Sequence, residues 1–335
     1  MKIAFCLFKY SPYSGLSLDF LRILEECKKR GHDTHVFVSE WQGERPEGVP
    51  FTVLEPLKFS LKFSNHAQNE QFHNKLEVEL KKQTFDVVVG FNKMPGLDLY
   101  YGADSCYVGD KSTLYPPIYK LSARYKGRYA FEEAVFGLKS QTLILSLSER
   151  QKSEYQENYF TPNERFHLLP PTLDKSFSPI TDRVHQREKL RVELDLPIND
   201  LLLMFIGSGF RTKGLVRAIN ALASLPIDLQ EHTSLIVVGD DDDEKQYRKQ
   251  ADRLSVSKQV LFLGGRSRED IPKLLAAGDL MVHPAHNENT GTVLLEAIAA
   301  GLPVLATDVC GYADHIKAAE AGTVLDSPFD QEALN

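Results

Sequence analysis

The hydrophobic and polar positions along the first half of the chain alternate between short apolar runs and helical segments. Continuous apolar runs at residues 2–8, 34–39, 86–91 and 142–147 predict buried β-strands. Residues 17–30, between the first two runs, place apolar side chains at helical spacing. Buried strands that alternate with helices are typical of a parallel sheet covered by helices on both faces.

A second series of the same kind follows a polar stretch at residues 174–188. Predicted helices 214–224 and 291–300 lie between its strands. The predicted strands of this series cover residues 201–206, 234–238, 260–263, 280–283 and 303–305. The pattern therefore predicts two doubly wound α/β domains, one at residues 1–171 and one at 172–335.

Composition narrows the possible functions. The chain has 335 residues, of which 42% are hydrophobic and 25% charged, which suits two globular domains. Its formal net charge of -7 argues against a nucleic-acid partner, because nucleic-acid-binding proteins usually carry a basic field. The acidic run at residues 240–243 is more typical of a solvated loop before a helix than of a metal site.

The cysteines and the first residues of the chain favour a cytoplasmic location. Cys6, Cys27, Cys106 and Cys310 are far apart and form no C-x-x-C pair, which argues against a disulfide framework or a zinc site. The chain begins directly with a strand-like segment, and it contains no apolar run of about 18 residues that would cross a membrane.

The most informative segment runs from Glu288 to Glu296, after the predicted strand 280–283. Ligands of open α/β sheets bind beyond the carboxyl ends of the strands. Gly291 stands where the next helix begins, and the backbone N–H groups of a helix start favour a diphosphate. Glu296 lies among apolar residues of that helix, where a carboxylate needs hydrogen bonds such as those from a ribose diol. Alternatively, both glutamates are ordinary surface residues.

A glycine-rich turn at residues 207–214 follows the predicted strand 201–206. Arg211 and Lys213 in this turn can neutralise the charge that builds up on a leaving diphosphate. The turn has neither the P-loop spacing nor the G-x-G-x-x-G spacing, so by itself it is weak support for phosphate binding.

Two features of the first domain are also candidates for function. The loop 11–16 and Asp19 follow the first strand, where Asp19 can contact a sugar or accept a proton; alternatively, it only complements the helix N-terminus. The stretch 115–129 contains four tyrosines and four cations, and it suits a membrane interface or an anionic acceptor unless it is simply a solvated helix face. His66 ends the basic, phenylalanine-rich stretch 57–66 and is a further acceptor candidate.

The spacing Glu288-x7-Glu296, preceded by the Arg211–Lys213 turn, resembles glycosyltransferase family 4. More closely, the chain is similar from end to end to the lipopolysaccharide core glucosyltransferase I family of Gram-negative bacteria. The stretches that carry this resemblance are residues 4–16, 89–98, 119–136, 165–171 and 293–313.

The resemblance implies a GT-B fold, in which two Rossmann-like domains enclose a cleft. It implies a retaining transfer of glucose from UDP-glucose, a co-substrate rather than a bound cofactor, to an inner-core heptose of lipopolysaccharide, without a metal. It also implies peripheral attachment to the anionic inner face of the inner membrane through the first domain. The family continues past residue 335 with a final helix that crosses back to the first domain.

The resemblance assigns roles to individual residues. Glu296 would hold the ribose, Lys213 the diphosphate, and Asp19 would be needed for transfer. The other donor-site residues would be Gly15, Arg211, Arg266, Glu288, Asn289, Thr290, Gly291 and Thr292. Beside these roles, the candidate acceptor or membrane residues of the first domain are His66, Lys93, Lys120, Arg124, Lys126 and Arg128. The family usually has a second basic residue at the position of Thr212, so the source of that charge stays open between Arg211 and Thr212.

Two functional alternatives stay open at this point. One is another enzyme of the same fold, such as a transferase with a different UDP-hexose, an epimerase or a phosphorylase, because a fold alone does not determine function. The other is a membrane-associated protein that binds a sugar nucleotide without catalysis.

Overall fold

The structure is a computed structural model of the chain, and it describes residues 1–12, 14–55, 65–109, 117–173, 177 and 182–335. The chain divides into two compact units, Met1–Pro170 and Pro171–Asn335. The sequence placed the boundary after residue 171, one position from this division. Each unit is described by itself.

The described strands of the first unit form one parallel sheet. In chain order they are β1 (Lys2–Tyr10), β2 (Asp33–Trp41), β3 (Phe51–Val53), β4 (Val87–Gly90), β5 (Leu99–Gly102), β6 (Leu143–Ser146) and β7 (Phe166–Leu168). Their order in the sheet is β3-β2-β1-β4-β5-β6-β7. The main helices are α1 (Gly15–Lys29), α2 (Asn65–Leu80), α3 (Ala123–Phe136) and α4 (Glu149–Tyr159), with short 3-10 turns at Pro117–Leu121 and Asn163–Arg165.

The sheet of the first unit is buried beneath its helices because its strands are apolar on both faces. On one face, the Phe5 ring of β1 meets the Phe20 ring of α1 edge-on, with their centroids 6.0 Å apart. On the other face, Cys6 of β1 belongs to a core that includes Phe72 of α2 and Phe136 of α3.

The second unit has a parallel sheet of its own. Its described strands are β8 (Leu201–Ile206), β9 (Thr233–Val238), β10 (Val260–Gly264), β11 (Leu280–His283), β12 (Val304–Thr307) and β13 (Gly322–Leu325). They lie in the order β10-β9-β8-β11-β12-β13. The helices are α5 (Arg183–Glu193), α6 (Phe210–Lys213), α7 (Leu215–Ser224), α8 (Ile227–Gln230), α9 (Glu244–Arg253), α10 (Ile271–Ala277), α11 (Thr292–Ala299), α12 (Ala313–Ala318) and α13 (Gln331–Leu334).

Each sheet changes its winding direction at one pair of neighbouring strands, β1 and β4 in the first unit and β8 and β11 in the second. In doubly wound sheets, ligands bind outside the carboxyl ends of the strands at such a switch point. The segments that follow β8 and β11 contain the predicted Lys213 and Glu288. The predicted fold class of two doubly wound parallel sheets is therefore confirmed, and the topology brings the two predicted donor segments side by side.

Every strand predicted from the apolar runs is present, with all bounds within two residues, but four strands were missed. β3 and β7 have only three residues each, and in β5 (LYYG) and β13 (GTVL) tyrosine, threonine and glycine interrupt the aliphatic run. Residues 174–176 and 178–181 of the polar stretch lie outside the described residues.

Candidate active site

The turn after β8 is held against the loop after β11 by a close backbone approach at Gly214. A Cβ atom at this position would lie 2.0 Å from the carbonyl oxygen of Pro284, and the residue has a φ of 81°. Only glycine fits both the contact and the left-handed backbone. The backbone N–H of His286 donates to the carbonyl oxygen of Thr212 at 2.8 Å, which fixes the two segments together.

A third segment supports the loop after β11 from its other side. The N–H of Gly311 donates to the carbonyl oxygen of Glu288 at 3.1 Å, and the N–H of Tyr312 donates to that of Thr290 at 2.8 Å. The loop is therefore fixed by backbone hydrogen bonds on both sides before any ligand binds, which is the preorganisation that a catalytic site requires.

The side chains of Lys213 and Glu288 meet within this frame. The Lys213 ammonium donates to Glu288 Oε2, and both side chains are largely buried. The Nε2 atom of His283, at the end of β11, lies 3.4 Å from the same carboxylate oxygen. Burial lowers the pKa of Lys213. Burial and the neighbouring Lys213 charge lower the pKa of His283 to about 3, so its imidazole is neutral at physiological pH.

Helix α11 begins beside this charged cluster. Gly291 precedes the helix with a φ of 80°, and a Cβ atom there would lie 2.9 Å from Leu294 Cδ1 and 3.2 Å from Glu288 Cγ. A side chain larger than hydrogen would therefore disturb the position of Glu288. Backbone N–H groups at a helix start attract anions. The start of α11 is surrounded by Asn289, Thr290 and Thr292. The arrangement combines an ammonium group and a helix N-terminus, both of which suit a diphosphate.

Glu296, the residue predicted to bind the ribose, is buried one turn further along α11. Its Oε1 atom lies 3.9 Å from the guanidinium of Arg268, and the Arg268 guanidinium lies 5.4 Å from the centre of the Phe177 ring. The charge of Arg268 offsets part of the cost of burying the carboxylate.

Two other predicted donor residues, Arg211 and Arg266, are exposed. Arg211 lies in α6 two residues before Lys213. Arg266 follows β10 and lines a separate cavity of about 180 Å³ together with Lys189 of α5 and Lys273 of α10. The backbone carbonyl of Thr212 accepts the hydrogen bond from His286 in the loop after β11. Thr212 therefore has a structural role and does not replace a positive charge.

In the first unit, Asp19 is paired with a residue that the sequence did not suggest. The Tyr101 hydroxyl, at the end of β5, donates to Asp19 Oδ2 at 2.9 Å, and the Arg22 guanidinium lies 3.7 Å from Oδ1. Gly15 is the first residue of α1 and is exposed. Residue 13 of the predicted loop 11–16 lies outside the described residues.

Three of the predicted acceptor residues, His66, Lys93 and Arg128, line one cavity of about 390 Å³ in the first unit. The Lys93 ammonium contacts the fully buried carboxylate of Glu132 and donates to the carbonyl oxygen of Ser105 at 2.6 Å. Glu132 also accepts hydrogen bonds from the backbone N–H of Tyr107, the N–H of Val108 and the hydroxyl of Tyr159. The positive charge of Lys93 is therefore neutralised by Glu132 within the wall of this cavity.

The other three predicted acceptor or membrane residues are exposed, Lys120 in the 3-10 turn before α3 and Arg124 and Lys126 in the first turn of α3. Ile118 and Leu121 beside them expose 73% and 70% of their surface. Large apolar side chains next to cations are typical of a surface that contacts a membrane. Residues 115 and 116 of the predicted stretch 115–129 lie outside the described residues. Residues 57–64 of the predicted stretch 57–66 also lie outside them.

Four residues of these sites were missed by the sequence analysis as functional candidates, namely Tyr101, Glu132, Arg268 and His283. The position of His283 at the end of a predicted strand was the only signal available, and Tyr101 had none because β5 was not predicted. In the described part of the chain, no group of three His, Cys, Asp or Glu side chains is arranged to hold a metal ion, and no helix is long and apolar enough to span a bilayer.

Comparison with known proteins assigns the chain to a family. Residues 186–335 match the family model of glycosyl transferases group 1. Together with two doubly wound units, this match defines the chain as a glycosyltransferase with the GT-B fold.

The lipopolysaccharide glucosyltransferase WaaG of Escherichia coli (strain K12) is 42% identical over 337 residues, which span 100% of this chain and 88% of that protein. The chain belongs to the family of this enzyme. A crystal structure of WaaG, a glycosyltransferase involved in lipopolysaccharide biosynthesis, superposes with a TM-score of 0.90 at 41% identity, over 99% of this chain and 88% of that one. The Anabaena protein Alr3699/HepE, solved with UDP-glucose, shares the fold at 20% identity with a TM-score of 0.72, over 100% of this chain and 88% of that chain.

Proposed function

We propose that the protein transfers glucose, with retention of the anomeric configuration, from UDP-glucose to an inner-core heptose of lipopolysaccharide. The contact between Lys213 and Glu288 at the switch point of the second sheet is the observation that carries this proposal. The 42% identical relative is a lipopolysaccharide glucosyltransferase, which supports the choice of glucose and lipopolysaccharide.

In this proposal the second unit binds the donor. Lys213 and the helix start at Asn289, Thr290, Gly291 and Thr292 hold the diphosphate, with Arg211 approaching from the exposed side. Glu288 accepts hydrogen bonds from the glucose hydroxyls, and Glu296 accepts them from the ribose. Arg266 lies toward the uracil.

The reaction breaks the bond between glucose C1 and the diphosphate oxygen and forms a bond between C1 and the acceptor oxygen. A positive charge beside the leaving diphosphate stabilises the negative charge that develops there, which is the largest contribution that fixed groups usually make to catalysis. The proton of the acceptor hydroxyl passes to the leaving diphosphate, on the same face of the sugar. Asp19, oriented by Tyr101, assists at the acceptor side, and the step requires no metal.

The proposal also places the enzyme at the cytoplasmic face of the inner membrane of a Gram-negative cell. Lys120, Arg124 and Lys126 would contact anionic lipid headgroups, while Ile118 and Leu121 enter the interface. These features are those expected of a family 4 enzyme that acts on a lipid-linked acceptor.

The direct test is to incubate the protein with heptose-terminated lipopolysaccharide and UDP-glucose, UDP-galactose, UDP-N-acetylglucosamine and ADP-heptose, and to read the acceptor by mass spectrometry. The expected product carries one added hexose, and single-donor reactions should identify the donor as UDP-glucose. A gain of N-acetylhexosamine or heptose would contradict the proposed donor, and hydrolysis of UDP-glucose without transfer would contradict the proposed acceptor.

A further inference from the structure

We propose that His283 is a positioning residue of the donor site, which holds the Glu288 carboxylate in place when the Lys213 ammonium turns toward the donor diphosphate. The inference rests on the proposed function, in which Lys213 binds the diphosphate and Glu288 accepts hydrogen bonds from the glucose hydroxyls. These two tasks compete with the contact that the two side chains make with each other. Glu288 then needs another donor that keeps it oriented, and His283 lies within reach of it.

The three side chains differ in their accessibility to a ligand. Lys213 exposes 23% of its side chain and Glu288 exposes 11%, whereas His283 exposes none. A diphosphate can therefore compete with Glu288 for the Lys213 ammonium, but it cannot reach the imidazole. A hydrogen bond from His283 to Glu288 remains available after Lys213 has turned to the diphosphate, so the largely buried carboxylate is not left without a donor.

The surroundings of the imidazole determine which of its nitrogens carries the proton. The Nε2 atom lies 3.4 Å from Glu288 Oε2, and an ionised carboxylate only accepts hydrogen bonds. The Nδ1 atom is buried and has no hydrogen-bond partner among the described residues. A proton on Nδ1 would leave a buried N–H unpaired and would turn the Nε2 lone pair toward the carboxylate. The proton therefore belongs on Nε2, which donates to Glu288.

The same surroundings suit an orienting group and not an acid or a base. A second proton, on Nδ1, would be buried without an acceptor, and burial together with the Lys213 charge lowers the pKa of His283 to about 3. The ring is also fixed by packing, because it lies against the Phe205 ring of β8 with centroids 6.4 Å apart and planes inclined by 24°. A neutral donor that is held rigidly is what the orientation of a binding carboxylate requires.

Nuclear magnetic resonance of the full chain with isotopically labelled histidine tests the tautomer and its response to a ligand. In the free protein the Nε2 atom of His283 should carry the proton, and the signal is assigned by its absence from His283→Gln. Saturating UDP should move the Nε2–H proton resonance downfield, because a carboxylate that loses part of the Lys213 charge accepts the remaining hydrogen bond more strongly. Saturating uridine, which lacks the diphosphate, should leave the resonance unchanged.

Donor binding tests the positioning role itself. His283→Phe keeps an aromatic ring beside Phe205 and removes the donor, whereas His283→Gln supplies an amide N–H. In titration calorimetry, His283→Phe should weaken UDP-glucose about tenfold more than UDP, because only the glucose uses the oriented carboxylate; this factor corresponds to one hydrogen bond to a charged group. His283→Gln should restore most of the difference. A residue that only maintained the fold would affect both ligands alike.

A second contact between a histidine and a carboxylate in the same unit provides the matched control. His232 Nδ1 lies 3.1 Å from Asp200 Oδ1, and the His232 side chain is exposed. His232 directly precedes β9, so it lies at the edge of the sheet opposite to the donor segments. His232→Phe and His232→Gln should therefore bind UDP and UDP-glucose like the wild type.

The inference would be overturned if the His283 proton were on Nδ1, or if bound UDP left the Nε2–H resonance unchanged. Equal weakening of UDP and UDP-glucose in His283→Phe, or wild-type affinity for both, would also overturn it. The resonance measurements use the wild type, so they decide even if His283→Phe does not fold. Failure of the proposed function has a different signature, because absence of hexose transfer to lipopolysaccharide, with the expected resonance and affinity ratio, would refute the transfer and leave the role of His283 intact.

Discussion

Lys213 and Glu288 are 75 residues apart in the sequence, and their side chains form a contact because β8 and β11 are neighbours in the second sheet. Both groups are largely buried, so each reduces the cost of desolvating the other. The pair is held by backbone hydrogen bonds from both flanking segments. Since the positive charge is in place before the donor binds, little reorganisation is needed when the diphosphate leaves.

The ribose role of Glu296 predicts a defect in nucleotide binding. Glu296→Gln should weaken UDP and UDP-glucose equally, by about tenfold, because hydrogen bonds to a charged group contribute about 1.5–3 kcal/mol and an amide replaces them only in part. Calorimetric titration with the two ligands measures this effect. The exposed Glu231→Gln variant is the matched control. A loss confined to UDP-glucose would assign Glu296 to the sugar instead.

The hydrogen bond between Tyr101 and Asp19 predicts a graded loss of transfer. Asp19→Asn should lower kcat by about 10- to 100-fold, the equivalent of losing one hydrogen bond from the acceptor hydroxyl to a charged carboxylate. Tyr101→Phe, which keeps the ring and removes the donor, should lower kcat by about fivefold, the equivalent of one neutral hydrogen bond. UDP affinity should be unchanged in both variants, because neither residue is in the donor-binding unit. A larger loss in Tyr101→Phe than in Asp19→Asn would show that Asp19 is not the acting group.

The buried imidazole of His283 predicts a pH-dependent stability. Its pKa of about 3 in the folded chain, against an ordinary 6.5, means that the unfolded chain takes up the proton first as the pH falls. The free energy of unfolding is therefore lost progressively below pH 6.5, by about 2 kcal/mol near pH 5 from this residue alone. His283→Asn keeps a donor for Glu288 and does not titrate.

Denaturant unfolding of the wild type and His283→Asn at pH 7.5 and pH 5 measures this contribution. The difference between the two proteins should move by about 2 kcal/mol in favour of the variant at the lower pH. Other titrating groups are common to both proteins and cancel. A difference that stays constant between the two pH values would mean that His283 takes up its proton in the folded chain as well.

The exposed cations at the start of α3 predict binding to anionic lipid. Replacing Lys120, Arg124 and Lys126 together by glutamine should weaken binding to phosphatidylglycerol-containing vesicles by roughly 100-fold, since each such charge contributes about 1 kcal/mol near the surface. Vesicle co-sedimentation measures the loss. A control that removes the same charge elsewhere in the unit combines Lys81→Gln, Lys82→Gln and Lys139→Gln. Equal losses in the two triple variants would show that net charge, and not this surface, is responsible.

The sequence predicted the strands that carry the donor site with their observed bounds, 201–206 and 280–283, because buried parallel strands are continuous apolar runs. It also predicted Lys213 and Glu288 as donor residues, and the structure brings these two side chains together. Their direct contact was not predictable, because it depends on the order of strands in the sheet, and no local pattern records that order. β13 was missed for a local reason, since Gly322 and Thr323 are exposed and the strand lacks an apolar run.

In the first unit, too, the sequence indicated a candidate residue but not the partner that it contacts. The sequence indicated Lys93 as a cation for the acceptor, but its partner Glu132 is 39 residues away on α3, within a stretch that reads as an ordinary polar helix face. The burial of Glu132 depends on the packing of α3 against its neighbours, which the sequence pattern does not specify. The same packing decides which predicted cations line the cavity and which remain exposed.

Hexose transfer by Lys213→Ala tests the central claim most directly. The initial rate from UDP-glucose to heptose-terminated lipopolysaccharide should fall by about 100- to 1,000-fold in this variant, the usual effect of removing one group that stabilises developing charge. The exposed Lys258→Ala variant in the same unit should transfer at the wild-type rate. If Lys213→Ala, folded and able to bind UDP, also turned over near the wild-type rate, the assignment of the Lys213–Glu288 pair as the transfer centre would be wrong.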